Sequence, residues 1–351
     1  MKTRVCRLYA KGDIRIEEAD VAEPARGEVL VAMGAGGICG SDLHYSQDGG
    51  FGPIRVKEPI ILGHEVAGTV KALGPGVEGL SVGDRVAVNP SRPCNNCRYC
   101  LQGLQQHCMT MRFFGSALRL PHEQGGFRDL MVVDAYQCIP LTNADVTLAE
   151  AACAEPLAVC LHALNRAGAS AGSLAGKSVL VTGAGPIGAL TVAALRNAGA
   201  AHIVVTDIQD FTLDVARAMG ADDVVNVGTE PDRLTPYQAD KGRFDIAFEC
   251  SAAAPAIHTA ITATRPQGTV VAVGVAGDVP VPLNLIVGKE INFVGTHRFT
   301  GEYRQAVELI DQRRIDVRPL ITSTHDLSDA VTAFRTAGDR TRSIKVQLSF
   351  T

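Results

Sequence analysis

Cys94, Cys97, Cys100 and Cys108 stand in a C-x2-C-x2-C-x7-C array. Thiolates so closely spaced can be gathered by short loops into a closed tetrahedral shell for Zn, with no position left for a substrate. An iron–sulfur cluster or buried unpaired thiols would be the competing uses of that spacing. A second set is scattered along the chain: Cys39 in GGICGSDLH, His64 and Glu65 in LGHEVAG, and Glu155 in ACAEPLAVCLHA. One thiolate, one imidazole and carboxylates suit a Zn ion that keeps a place for a water or substrate oxygen. A single Cys or His is usually packing, and the joint occurrence in glycine-flanked segments sets these apart. Cys153, two residues before Glu155, reads as core.

Gly183, Gly185 and Gly188, with Pro186 and Ile187 between the last two, form GAGPIG between the apolar run SVLVT and an apolar helix. That placement suits a dinucleotide: a tight turn, backbone close to a pyrophosphate, and amide N–H groups at a helix N-terminus facing its charge. Asp207 ends the following run HIVVTD, where a carboxylate would accept hydrogen bonds from both ribose hydroxyls. It favours NAD over NADP, because it would repel a 2′-phosphate and no arginine follows within the next several residues. The plainer reading is a glycine turn and a capped helix.

The elements that must carry these residues fall into two textures. The first third is strand and loop: RVCRLY, IRIEEA, EVLVAM and EVAGTVKAL are β-type runs bounded by Gly, Pro and Asp, with few helical periods before about Leu148. Between Pro90 and Gly126 the pattern fails, which in a compact domain asks for a staple or a function. From Lys177 short β-branched runs alternate with helical segments, the pattern of βαβ crossovers in a doubly wound parallel sheet. The fold class is therefore α/β, a β-rich domain followed by a parallel-sheet domain.

The 351 residues are 46% hydrophobic and 20% charged with net charge -4, so no basic footprint exists for nucleic acid. The uncharged stretch Ser178 to Leu195 contains three glycines, a proline and two threonines, and reads as strand, turn and helix instead of a membrane span. Ten cysteines without a secretory leader point to thiols and metal in a cytoplasmic chain.

Together, GGICGSDLHY, LGHE, the four-cysteine lobe, AEPLAV and GAGPIG resemble the zinc-dependent medium-chain alcohol and polyol dehydrogenases over nearly the whole chain. VNPSRPC, MRFFGSA, QGGF and RFTGEY are similar to members acting on polyols and on L-idonate. The resemblance implies a GroES-like catalytic domain over 1–155 with a structural-zinc lobe at 90–126, a Rossmann NAD-binding domain over 156–294, and a return to the catalytic domain over 295–351. It implies Cys39 and His64 as catalytic zinc ligands, with Glu65 or Glu155 as the third, left open between them. Ser41 and His44 would relay the released proton, and Tyr45 would face the substrate. Arg112 and Arg298 are candidate cations for a substrate carboxylate, with Phe113 and Phe114 as channel walls; Arg298 also matches a position that orders the zinc water. The implied activity is NAD-linked oxidation of a sugar acid, L-idonate to 5-keto-D-gluconate. The alternatives are a neutral polyol such as sorbitol or xylitol, or a non-catalytic NADH-binding zinc protein. A homo-oligomer, dimer or tetramer, would join through the Rossmann sheet. The terminal cluster Arg335, Arg340, Arg342 and Lys345 reads as a solvated face.

Overall fold

A computed structural model describes residues 1–169, 172–275 and 277–350. The alternating second texture forms one six-stranded sheet, all parallel, in the spatial order Asp223–Asn226, His202–Asp207, Ser178–Thr182, Phe244–Glu249, Thr264–Ala272, Asn292–Gly295. Strand order reverses between Ser178–Thr182 and Phe244–Glu249, and at such a switch point the carboxyl ends leave a crevice for a ligand. The strands are buried on both faces, which is why SVLVT and HIVVTD are apolar runs instead of alternations.

The first texture gives a seven-stranded sheet built on Glu28–Gly37, which pairs with Glu65–Leu73 on one side and with Leu130–Asp134 and Lys345–Ser349 on the other. The last two strands of the chain, Ile321–Asp326 and Lys345–Ser349, thus complete a sheet begun near the N-terminus. The two bodies meet along the helix Ala154–Arg166, which crosses the 155/156 border and packs on the helices Pro186–Asn197 and Glu302–Asp311. Leu157, Leu161 and Leu164 are buried there, each contributing roughly 1.5–3 kcal/mol. Glu302 ties the joint: its carboxylate accepts from Asn165 Nδ2 and pairs with His162 Nδ1, both at 2.9 Å, while also taking the Thr300 amide at 2.8 Å.

Two features depart from the sequence reading. The helix Gly40–Asp48 has no apolar stripe to announce it; it starts from a capping box between Cys39 and Asp42 and ends on the left-handed Gly49. Segment 90–126 is indeed almost without regular structure, holding one short strand pair, Ser91–Arg92 with Arg112–Phe113, and two single turns at Cys100–Gln102 and Gln105–His107.

Candidate active site

The four lobe sulfurs lie within 4.8 Å of one another. Cys97 and Cys100 are 3.5 Å apart, Cys94 and Cys108 3.4 Å, and the Cys94 amide donates to the Cys108 sulfur at 3.2 Å. The Thr110 hydroxyl and the Asn96 amide pull the Cys94 thiol down to about 6, whereas burial and the neighbouring sulfurs push Cys100 up to about 12. Sulfurs competing for protons in this way fit one cation held by all four. Leu101 and Met109 beside them are exposed, so little apolar burial holds the lobe closed without a metal.

The second donor set converges from three elements. Cys39 caps the helix Gly40–Asp48, His64 ends a loop, and Glu65 opens the strand Glu65–Leu73; their donor atoms also lie within 4.8 Å of one another. Gly37 lies opposite Glu65 in the sheet, and a β-carbon there would fall 2.1 Å from Glu65 Oε2, so glycine is what admits the carboxylate. Asp42, buried on the same helix, takes the Cys39 amide at 3.0 Å and the Gly63 amide at 3.3 Å, with one oxygen 3.8 Å from His64 Nδ1. Asp42 thus sets a buried carboxyl on the Nδ1 side of the imidazole.

Glu65 is not free. Lys345, 1% exposed, pairs with both its carboxylate oxygens at 2.7 and 2.8 Å and donates to the Ile38 carbonyl at 3.3 Å. This corrects the solvated-face reading of the terminal basic cluster: one of its four members is a buried counter-ion beside the metal donors. Glu155, buried in the first turn of Ala154–Arg166, interacts electrostatically with His64 and Glu65 but stands outside the three donors that lie within 4.8 Å of one another. Burial pushes its carboxyl up to about 7, with His64 opposing and the Glu65 charge adding to the rise. A thiol, an imidazole and a carboxylate gathered in a desolvated site, with further charges around them, fit a divalent cation as the charge that balances them.

Around this centre, Phe113 lies 5.4 Å from the His64 ring and carries the Arg298 guanidinium at 4.3 Å from its centroid. Arg298 has a left-handed backbone, φ 53°; burial lowers its pKa, while the charges of Glu155 and Tyr45 counter that. Tyr45 is buried, its phenol oxygen accepting from the Ala117 amide at 3.3 Å. Ser41 lies one residue into the helix that Cys39 caps. His44 is exposed, 3.0 Å from Asp48, on a cavity of about 360 Å³ that it shares with Phe51, Arg55 and, from the other domain, Val275 and Gly277. Two expected substrate residues point elsewhere, because neighbours along an extended segment face opposite sides. Arg112 lies in a separate polar cavity of about 290 Å³ and pairs with Glu123 at 3.4 Å; Phe114 lines that cavity and packs into the first domain's core. Neither joins the metal donors.

The dinucleotide features lie across the cleft. Gly183 turns at φ 89°, and the helix Pro186–Asn197 starts at Gly185 with Pro186 in its first turn and no side-chain cap, leaving its first amides available to an anion. Asp207 Oδ2 accepts from the Ala184 amide at 2.6 Å, inside the glycine turn, and Oδ1 from Ile208 and Gln209. Turn and acid therefore share one edge of the sheet, as a ribose and its pyrophosphate require.

Residues 25–143 match the alcohol dehydrogenase GroES-like domain and residues 186–312 the zinc-binding dehydrogenase domain. The chain belongs to the zinc-binding alcohol dehydrogenases. It is an oxidoreductase acting on CH–OH groups. It is 40% identical over 352 residues to the L-idonate 5-dehydrogenase (NAD(P)(+)) of Escherichia coli strain K12, covering 100% of this chain and 99% of that one. The crystal structure of an Escherichia coli L-idonate 5-dehydrogenase superposes with a TM-score of 0.94 at 40% identity, covering 100% and 99% of the two chains. Sorbitol dehydrogenase of Gallus gallus is 35% identical over 345 residues, 97% of this chain and 94% of that one. An alcohol dehydrogenase from Escherichia coli CFT073 complexed with NADH has a TM-score of 0.88 at 26% identity, covering 99% of each chain. As a zinc-binding alcohol dehydrogenase, the chain has the donor sets and the Rossmann crevice to hold zinc and a nicotinamide dinucleotide. No helix among the described residues is long and apolar enough to cross a membrane.

Sequence reasoning missed Asp42 and the pairing of Lys345. The spacing of Cys39 and Asp42 as a capping box could have found the first. An isolated lysine between Ile344 and Val346, in the run SIKVQLSF, was the signal for the second.

Proposed function

We propose that this dehydrogenase oxidises a secondary alcohol of a sugar acid with NAD, L-idonate to 5-keto-D-gluconate. The observation that carries the substrate class is the half-buried Arg298 guanidinium: it stacks on Phe113 beside the metal donors and has no carboxylate within 4.0 Å among the described residues, so it can take a substrate carboxylate. Arg112 is a poorer anchor because Glu123 already occupies it.

Zinc, when bound, supplies a Lewis acid that draws the pKa of a substrate hydroxyl toward neutrality, and the dinucleotide accepts the hydride. Cys39, His64 and an acidic neighbour hold the metal. Lys345 holds the Glu65 carboxylate in place through both its oxygens. Arg298 and Tyr45 orient the substrate, and Phe113 excludes water. The C–H hydrogen leaves with its electron pair and the hydroxyl proton departs separately. Ser41 passes that proton along the helix Gly40–Asp48 toward His44, whose ring opens on the inter-domain cavity. Asp207 favours NAD, since a 2′-phosphate would meet its carboxylate.

A neutral polyol is the second reading, favoured by the sorbitol dehydrogenase relative. Assembly through the parallel sheet is supported by its outer strand, Asn292–Gly295, where Phe293 is exposed, as are Leu283 and Val287 on the preceding helix Leu283–Lys289. NADH formation with L-idonate, sorbitol and xylitol in parallel, each with NAD and NADP, tests substrate and cofactor together. The sugar-acid reading requires the highest kcat/KM on L-idonate; an equal or higher value on sorbitol overturns it.

A further inference from the structure

Arg298 has a backbone that does not hold itself. Its φ of 53° lies in the left-handed region, which a residue with a β-carbon keeps only where its surroundings impose it. The segment around it is tethered at two places: the Thr296 amide donates to the Ala272 carbonyl at 3.2 Å, and the Thr300 amide donates to Glu302 at 2.8 Å. Between these tethers, His297 and Arg298 are met by the four-cysteine lobe. The His107 ring, on the turn Gln105–His107 just before Cys108, stacks on the His297 ring with centroids 5.9 Å apart and planes at 22°. Tyr99, between Cys97 and Cys100, backs His107 at 6.4 Å. Phe113 lies under the Arg298 guanidinium, and Met111 and Phe113 share a buried cluster with Phe299 and Tyr303.

Core packing does not account for the histidine pair. His107 and His297 are both exposed, so neither ring fills an interior. What the pair does is join two segments far apart in the chain, one ending at a lobe sulfur and the other carrying Arg298. The lobe therefore grips the left-handed turn twice, by the ring stack at residue 297 and by Phe113 at the side chain of residue 298. We propose that His107 is a positioning residue for the substrate: through its stack on His297, the four-cysteine lobe holds the turn that sets the Arg298 guanidinium on Phe113. The inference rests on the reading of Arg298 as the substrate's anchor, and adds to it a link between the lobe and substrate affinity. The link acts on KM and leaves kcat alone, because the cleft donors Cys39, His64 and Glu65 stand on other elements.

Steady-state kinetics with L-idonate and sorbitol, on preparations whose zinc content is measured, test it. His107→Ala should raise the KM for L-idonate about 3–10-fold, the range of a lost ring contact. The kcat and the KM for sorbitol should stay within about twofold, with the zinc content unchanged. His107→Phe, which keeps a flat ring, should restore the KM. His297→Ala removes the same stack without altering the lobe and should repeat the effect, so it decides the matter even where a His107 variant loses its lobe metal. In an Arg298→Ala background His107→Ala should add nothing, because the residue it positions is gone. A KM for L-idonate within about twofold in both alanine variants overturns the proposal, as does the same rise with and without Arg298. If Arg298→Ala itself weakens L-idonate and sorbitol alike, the carboxylate reading of Arg298 falls; the positioning is then scored separately, on whether His107→Ala is silent in that background.

Discussion

The molecule has two clusters of metal donors, and they are built on opposite plans. The lobe presents four sulfurs on loops, beside exposed apolar residues, with thiols tuned by local amides and a hydroxyl. The cleft presents one sulfur, one imidazole and a carboxylate from three anchored elements, with buried Asp42 beside His64, buried Lys345 on Glu65, and buried Glu155 and half-buried Arg298 nearby. In the lobe the metal substitutes for a hydrophobic core. In the cleft the protein has already built the scaffold, and the metal is present for its unfilled valence.

That contrast is broken most directly by removing one donor from each. His64→Asn should lower turnover on the order of a thousand-fold while leaving the melting temperature nearly unchanged. Cys97→Ser should do the reverse. It forfeits part of the roughly 10–16 kcal/mol that a structural zinc contributes in small zinc-binding peptides, and opens residues 90–112 to proteolysis, with turnover per folded molecule retained. A Cys97 variant as protease-resistant as the unaltered chain would erase the distinction.

The scaffold side of the comparison is sharpened at Lys345. Lys345→Met removes the partner of the buried Glu65 carboxylate, at a cost of about 3–5 kcal/mol in thermal or denaturant unfolding. Adding Glu65→Gln should recover much of that stability without recovering activity. A smaller effect is expected at the joint between the domains. Burial opposes ionisation of Glu302, but His162, the Thr300 amide and Asn165 more than offset it and hold the carboxyl well below its usual range. Its stabilisation is therefore complete above the unfolded value of about 4.3 and is lost as pH falls toward the depressed native one. Glu302→Gln should cost about 1–3 kcal/mol at neutral pH and flatten the acid side of the stability profile. The smallest effect belongs to Arg112, outside both clusters: Arg112→Ala should leave the KM for L-idonate within about twofold, whereas Arg298→Ala raises it at least about tenfold.

The β-branched runs after Lys177 were legible as a parallel sheet because burial on both faces leaves an unbroken apolar signature, and GAGPIG was legible because its chemistry is local. Cys94 to Cys108 could be read for the same reason, since all four ligands sit within fifteen residues. The cleft was only partly legible. Cys39, His64 and Glu155 could be singled out, but the partners that set their charge lie far along the chain: Lys345 is 280 residues from Glu65. Spacing says nothing about such pairings. Nor does it say which side of a short strand a residue faces, so Arg112, Phe113 and Phe114 were treated alike while the fold turns them to opposite sides. The helix Gly40–Asp48 escaped because the residues it buries are Asp42, Tyr45 and Ser46, so its inner face is not an apolar one.

Zinc content and L-idonate-dependent NADH formation, measured on the same preparations of the unaltered chain and of His64→Asn, test the central claim most directly. The account predicts two zinc ions per chain and full turnover in the first, one zinc ion and turnover lowered on the order of a thousand-fold in the second. A His64 variant that keeps both ions and oxidises L-idonate at the original rate would contradict it.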